Sequence, residues 1–212
     1  MYKLYYSPST AALAVHWLLI ELNVPFELVL VDTEKGEQKS AEYLKLNPDG
    51  RVPTLVVDGV PHFECAALLM LLAERHPQAR FAPAIGARER PDYFQWMFFC
   101  ANTLQPAYRN WFYPDETAGP ENAAAVKVQA RVVIERAWAR IDGHLADGRA
   151  YMLGPQPTVL DFMATMLARW SRNMPKPATA LAHVATYIDR MRTMPSLREV
   201  HKREGLTDWI GG

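Results

Sequence analysis

"VPTLVVDGVPHFEC", residues 52–65, decides how this chain begins to fold. Thr54–Val57 is a β-branched run that reads as a short strand, and Asp58-Gly59 is a strong two-residue hairpin signal. Val60-Pro61-His62-Phe63 returns as a second strand, and Pro61 restricts it to a sheet edge or a strand start. A helix follows from Cys65 to His76, where Pro77 stops it. Two features are not needed to build a hairpin: Pro53 at the mouth of the first strand, and Glu64-Cys65 at the helix start. Taken alone, Pro53 reads as a trans strand opener, because only about 5–6% of X–Pro bonds are cis in folded proteins. Glu64 alone reads as a charge that favours a helix N-terminus.

Upstream, the pattern alternates between strand and helix. Tyr2–Tyr6 reads as a strand, and residues 10–22 as a helix with Leu13, His16, Trp17 and Ile20 at helical spacing. Pro25–Val31 is a second strand, followed by a polar loop, a short helix near 40–46, and the turn Asn47-Pro48-Asp49-Gly50. The order β-α-β-α-β-β-α predicts a mixed four-stranded sheet whose first pair is parallel and whose last is antiparallel. Downstream, residues 78–87 read as a linker, and beyond it the strand signal vanishes. Helices are predicted at 88–112, 121–146, 158–170, 178–193 and 196–204, with Pro175, Pro177 and Pro195 as punctuation. The predicted units are thus 1–78, mixed α/β, and 86–212, all-α.

Bulk composition narrows the function classes. Half of the 212 residues are apolar and 11% are aromatic, which suits a folded globular protein. Lys plus Arg and Asp plus Glu balance at 23 each, which removes the electrostatic warrant for nucleic acid or an anionic membrane. No apolar run approaches the ~18–20 residues needed to cross a bilayer. Tyr5-Tyr6-Ser7-Pro8 interrupts any signal-peptide apolar region. Cys65 and Cys100 are too few for a disulfide framework, so a reducing, cytoplasmic setting is expected. Histidines at 16, 62, 76, 144, 183 and 201 show no metal-ligand spacing, and no metal is expected.

A thioredoxin-like βαβαββα unit followed by an all-helical domain resembles the cytosolic glutathione S-transferase family. "NPDGRVPTL" (47–55) looks like that family's turn before a cis-proline strand, and "FEC" (63–65) sits where it places an acidic–serine pair. "TVLD" (158–161) looks like its helix capping box, with "YMLG" (151–154) just ahead. The resemblance covers essentially the whole chain. It implies a cis Val52–Pro53 bond whose kink exposes the Val52 N–H and C=O to the backbone of glutathione, much like an added strand. It also implies that the γ-glutamyl carboxylate meets the helix N-terminus at Glu64-Cys65, with the Glu64 side chain facing the tripeptide's amine. Cys65 replaces the family's usual serine with a weaker donor. Lys35, Gln38 and Lys39 lie in the loop that, in this family, commonly meets the glycyl carboxylate, and are exposed-charge candidates for it.

The thiol-activating group is expected at the start of the first helix, in "YYSPSTAALAVHW" (5–17). This stretch looks most like the bacterial, beta-like branch, but Ala11 stands where that branch has a cysteine. The remaining donors are Ser9 or Thr10 first and Tyr6 behind them, with Ser7 beside them; the alternative is that one of these only caps the helix. "QPAYRNWFYP" (105–114) offers Tyr108, Arg109 and Trp111 to a hydrophobic co-substrate, or to ordinary core packing. The leading reading is a glutathione transferase acting on a hydrophobic electrophile as a homodimer, with the 88–112 and Leu68–Leu72 helices supplying apolar surface. The alternatives are a non-catalytic glutathione- or protein-binding module of the same fold, and a glutathione-dependent isomerase. A dithiol oxidoreductase is disfavoured because no C-x-x-C occurs.

Overall fold

The computed structural model describes residues 1–210, which pack as two compact units. The first comprises Met1–Ala82 together with the segment from Arg192 onward, and the second comprises Pro83–Met191.

In the first unit, β1 (Tyr2–Tyr6), β2 (Phe26–Leu30), β3 (Thr54–Val57) and β4 (Val60–His62) form one sheet in the order β2-β1-β3-β4. β1 and β2 are parallel, in register from Tyr2–Phe26 to Tyr6–Leu30; β3 runs antiparallel to both β1 and β4. Leu4 faces Leu55 across the sheet and both are fully buried. Asp58 and Gly59 both have positive φ, as the tight hairpin turn requires, and Pro61 sits on the edge strand where its missing N–H costs no ladder bond.

The helices of this unit are α1 (Ala12–Glu21), α2 (Ala41–Leu44), α3 (Cys65–Arg75) and, from the far end of the chain, α10 (Pro195–Arg203). The helix read from the spacing of Leu13, His16, Trp17 and Ile20 is α1. Every residue from Ala12 to Leu19 is buried, because α1 packs among β1, α3 and α10. A helix apolar on all sides is one covered on all sides. Trp17 Nε1 donates to Ser196 Oγ of α10 at 2.7 Å. The last helix thus packs with the sheet domain. Leu68, Leu69 and Leu72 of α3 are also buried within the chain, while Met70 and Leu71 between them are half-buried.

The second unit holds α4 (Arg90–Phe99), α5 (Gln105–Phe112), α6 (Asp115–Ala118), α7 (Ala123–Leu145), α8 (Val159–Trp170) and α9 (Ala182–Arg192). The helix expected over 88–112 is interrupted by a π-helical turn at Cys100–Leu104. Pro106 lies just beyond it; a proline has no N–H to give and its ring crowds the carbonyl four residues back, so a regular ladder cannot run through. The capping box at the start of α8 is present. Asp161, fully buried, accepts from Thr158 N at 2.7 Å, Met152 N at 2.8 Å, the Tyr187 hydroxyl at 3.0 Å and the Thr158 hydroxyl at 3.1 Å. Burial pushes its carboxyl above the ordinary aspartate value despite these bonds. Among the described residues no helix is long and apolar enough to cross a membrane.

Candidate functional site

Strand directions bring four connecting segments to one end of the sheet. β1 ends at Tyr6 beside the end of β2 at Leu30, and antiparallel pairing sets Tyr5 opposite Thr54, the first residue of β3. Leu55 pairs with His62, so β4 also ends there, just before Glu64. Residues 7–11, 31–39, 51–53 and 63–65 therefore converge, though they are far apart in sequence.

The segment before β3 is held from below. The buried side chains of Asn47 and Tyr43 both donate to the Arg51 carbonyl, at 2.9 and 2.7 Å, and both also contact Thr54 Oγ1. Gly50 has φ +57°, and a Cβ there would lie 2.8 Å from the Gln38 carbonyl oxygen, so the turn needs glycine. The clamp delivers a cis Val52–Pro53 bond with Pro53 buried and Val52 half-buried. Neither backbone polar group of Val52 has a partner among the described residues. Lys39 is exposed and donates to the Asp49 carbonyl at 3.0 Å, at the rim of the same turn.

At the start of α3, Glu64 is exposed and has φ +73° and ψ +105°, a backbone conformation that non-glycine residues rarely adopt. Strain of this kind costs on the order of 1–3 kcal/mol and clusters where a ligand is held. Cys65 turns inward. Its thiol donates to the Ala11 carbonyl at 3.2 Å, tying the starts of α3 and α1 together. Burial pushes that thiol up to about 12, so it is neither a thiolate nor exposed to a ligand. The side chain of Cys65 is thus a packing contact, and any anion binding here falls to the helix end.

In the β1–α1 segment, Ser7 Oγ meets Thr33 Oγ1 at 3.1 Å and joins two of the four segments. Thr10 donates its hydroxyl hydrogen to the Ser7 carbonyl at 2.6 Å and receives the Ala12 N–H at 3.3 Å, which makes it a cap. Ser9 has φ +63°, the left-handed region, and its N–H donates to Glu204 Oε2 at 2.9 Å. The other Glu204 oxygen lies 2.9 Å from His16 Nδ1, both side chains being wholly buried. The Tyr6 ring packs against His16, and burial together with the Glu204 carboxylate raises its phenol above the ordinary tyrosine value. Sequence reading did not single out His16 or Glu204. They are 188 residues apart, and no local pattern links them.

The aromatic cluster of α5 is knit into its own unit. Tyr108 is fully buried with its hydroxyl accepting from Trp138 Nε1 at 2.8 Å, so it is a core residue closed to a co-substrate. Arg109 pairs with Glu116 at 2.5 Å and lies over the Tyr113 ring, while Lys127 lies 4.6 Å from the centre of the Trp111 ring. Both residues are half-buried and engaged locally. A groove of about 500 Å³ runs between α5 and α7, lined by Pro106, Ala107, Val126, Ala130 and Val133 among others.

Residues 8–75 match the family model described as glutathione S-transferase, N-terminal domain, and residues 105–211 match its C-terminal domain. The chain is 30% identical to glutathione S-transferase GST-4.5 of Xanthomonas campestris pv. campestris, over 96% of this chain and 99% of that one. Among solved structures it is similar to a glutathione transferase from Methylococcus capsulatus, with a TM-score of 0.87 and 27% identity, covering 97% of this chain and all of that one. A sphingomonad glutathione S-transferase complexed with glutathione aligns with a TM-score of 0.84 and 28% identity, again over 97% and 100%.

Proposed function

Because the chain belongs to the glutathione S-transferase family, we propose that it binds glutathione at this end of the sheet and activates the thiol for attack on a hydrophobic electrophile. The observation that carries the reading is the Val52 peptide group. It is held in place by Asn47 and Tyr43, carries an unpartnered N–H and C=O, and stands at the same end of the sheet as the N-terminus of α3. An extended peptide can complete those two bonds as an added strand would. The N-terminus of an 11-residue helix suits the peptide's γ-glutamyl carboxylate, and Glu64 suits its ammonium. Lys39 is the cation we assign to the glycyl carboxylate.

Ser9 is the donor we assign to the thiolate. Thr10 spends its hydrogen on the Ser7 carbonyl, and the Tyr6 ring packs against His16 beside the Glu204 carboxylate, an environment that disfavours a neighbouring anion. Glutathione's thiol would otherwise titrate near ~8.5, leaving only a few per cent thiolate at neutral pH. The protein is further proposed to work in the cytoplasm as a homodimer, through the groove between α5 and α7 and the exposed Val128 and Val132 beside it. A second reading, a glutathione-binding module without turnover, draws support from Ala11, which stands where the beta-like branch has its cysteine.

Ultraviolet absorbance of the thiolate, followed against pH, separates the two. Bound glutathione should titrate at least one unit below the free thiol, and Ser9→Ala should raise the bound value by about one unit, since a charge-assisted hydrogen bond is worth ~1.5–3 kcal/mol. A bound thiol that titrates like the free one would leave the binding module as the reading.

A further inference from the structure

We infer that Glu204 is a positioning residue for thiol activation: its carboxylate, brought in by the C-terminal segment, fixes the backbone of Ser9 and so the place of the hydroxyl that meets the thiolate. The inference rests on Ser9 acting as proposed above. Three observations carry it. Ser9 holds a left-handed backbone, at φ +63°, that a serine does not prefer and that a neighbour must therefore enforce. Its N–H ends on Glu204 Oε2 at 2.9 Å, across 195 residues of sequence. The same carboxylate reaches His16 Nδ1 at 2.9 Å with its second oxygen, and neither side chain is exposed at all.

One carboxylate therefore joins the loop that precedes α1 to the second turn of α1 itself. His16 is anchored by the helix, with its ring between Tyr6 and Phe26. Glu204 follows α10, which is fastened to α1 by the Trp17–Ser196 bond. With both ends of the bridge rigid, the Ser9 N–H has a fixed acceptor, and the loop's left-handed turn is set by tertiary contact. Thr10, one residue on, is already held by the Ser7 carbonyl and the Ala12 N–H. Ser9 is thus the residue of this loop whose backbone depends on the chain's far end. The bridge asks for shape more than for charge. A negative group this close opposes a neighbouring thiolate, so its presence is explained by the two bonds it makes.

That distinction supplies the test. Glu204→Gln keeps the length and can keep both contacts, its oxygen taking the Ser9 N–H and its amide N–H₂ donating to His16 Nδ1 in the other ring tautomer. Glu204→Asp keeps the charge but is one methylene too short to reach both partners. The readouts are the titration of bound glutathione by thiolate absorbance, the kcat/KM split for glutathione, and urea unfolding to show that each variant is folded. Glu204→Gln should titrate no higher than the wild type and retain turnover. Glu204→Asp should raise the bound thiol by about one unit, lower kcat about tenfold below that value, and leave KM for glutathione within twofold. Adding Ser9→Ala to Glu204→Asp should raise it no further, because both changes remove the same contact. If Glu204→Asp behaves as the wild type, or if Glu204→Gln is impaired as much as Glu204→Asp, the positioning role is wrong. If Ser9→Ala alone leaves the bound thiol unmoved, it is the assignment of Ser9 that fails, and the two failures are told apart by that single variant.

Discussion

Replacing Glu64 with glycine should strengthen the fold slightly while weakening the ligand. Glu64 holds φ +73° and ψ +105°, a conformation that costs a side-chain-bearing residue ~1–3 kcal/mol. Glycine escapes most of that penalty, and loses ~0.5–1 kcal/mol through its freer unfolded chain. The net expectation is a gain of about 0–2 kcal/mol in unfolding free energy for Glu64→Gly. Glu64→Ala keeps the Cβ and the strain, so its stability should stay close to that of the wild type. Both variants lose the carboxylate proposed to face the tripeptide's amine, and a hydrogen bond to a charged group is worth ~1.5–3 kcal/mol. Each should therefore bind glutathione about 10- to 150-fold more weakly. Urea unfolding of the ligand-free proteins reads the first effect, and calorimetric titration with glutathione reads the second. A Glu64→Gly protein less stable than Glu64→Ala would refute the strain. Affinity within twofold of the wild type in either variant would place the ligand elsewhere.

Two further outcomes test the interior. With both thiols buried and pushed up to about 12, Cys65 and Cys100 should be inert to a disulfide reagent at pH 8 in the native protein and react fully once it is unfolded; a fast native reaction would contradict the packing of Cys65 against Ala11. Asp161→Ala strands two buried backbone N–H groups at ~1–3 kcal/mol each and should cost about 3–4 kcal/mol in urea unfolding, with a loss under 1 kcal/mol sinking the account. The raised carboxyl sets the sign with pH: the folded state holds that proton more tightly than the unfolded chain, so the site favours the fold most below the ordinary aspartate value and loses that contribution as pH rises through the raised one.

Much of the molecule is legible in the amino-acid sequence. The β-branched run at Thr54–Val57, the Asp58-Gly59 turn, the helical spacing in 10–22 and the prolines indicated the strand and helix order of the first unit, because these signals act within a few residues of where they are written. The motif around Val52-Pro53 and Glu64 marked the candidate site only through the family resemblance, since taken alone a proline at a strand start and an acidic residue at a helix start are ordinary local features. What the tertiary structure alone decided lies in the contacts between distant segments. α1 is buried on every side because α10 returns to cover it, and nothing in residues 10–22 announces that partner. The Cys65 thiol faces Ala11, Tyr108 closes on Trp138, and Glu204 reaches both Ser9 and His16. Such contacts leave no periodic trace. A buried polar group needs one partner at about 3 Å, and which residue supplies it depends on where the folded backbone brings its far segments together.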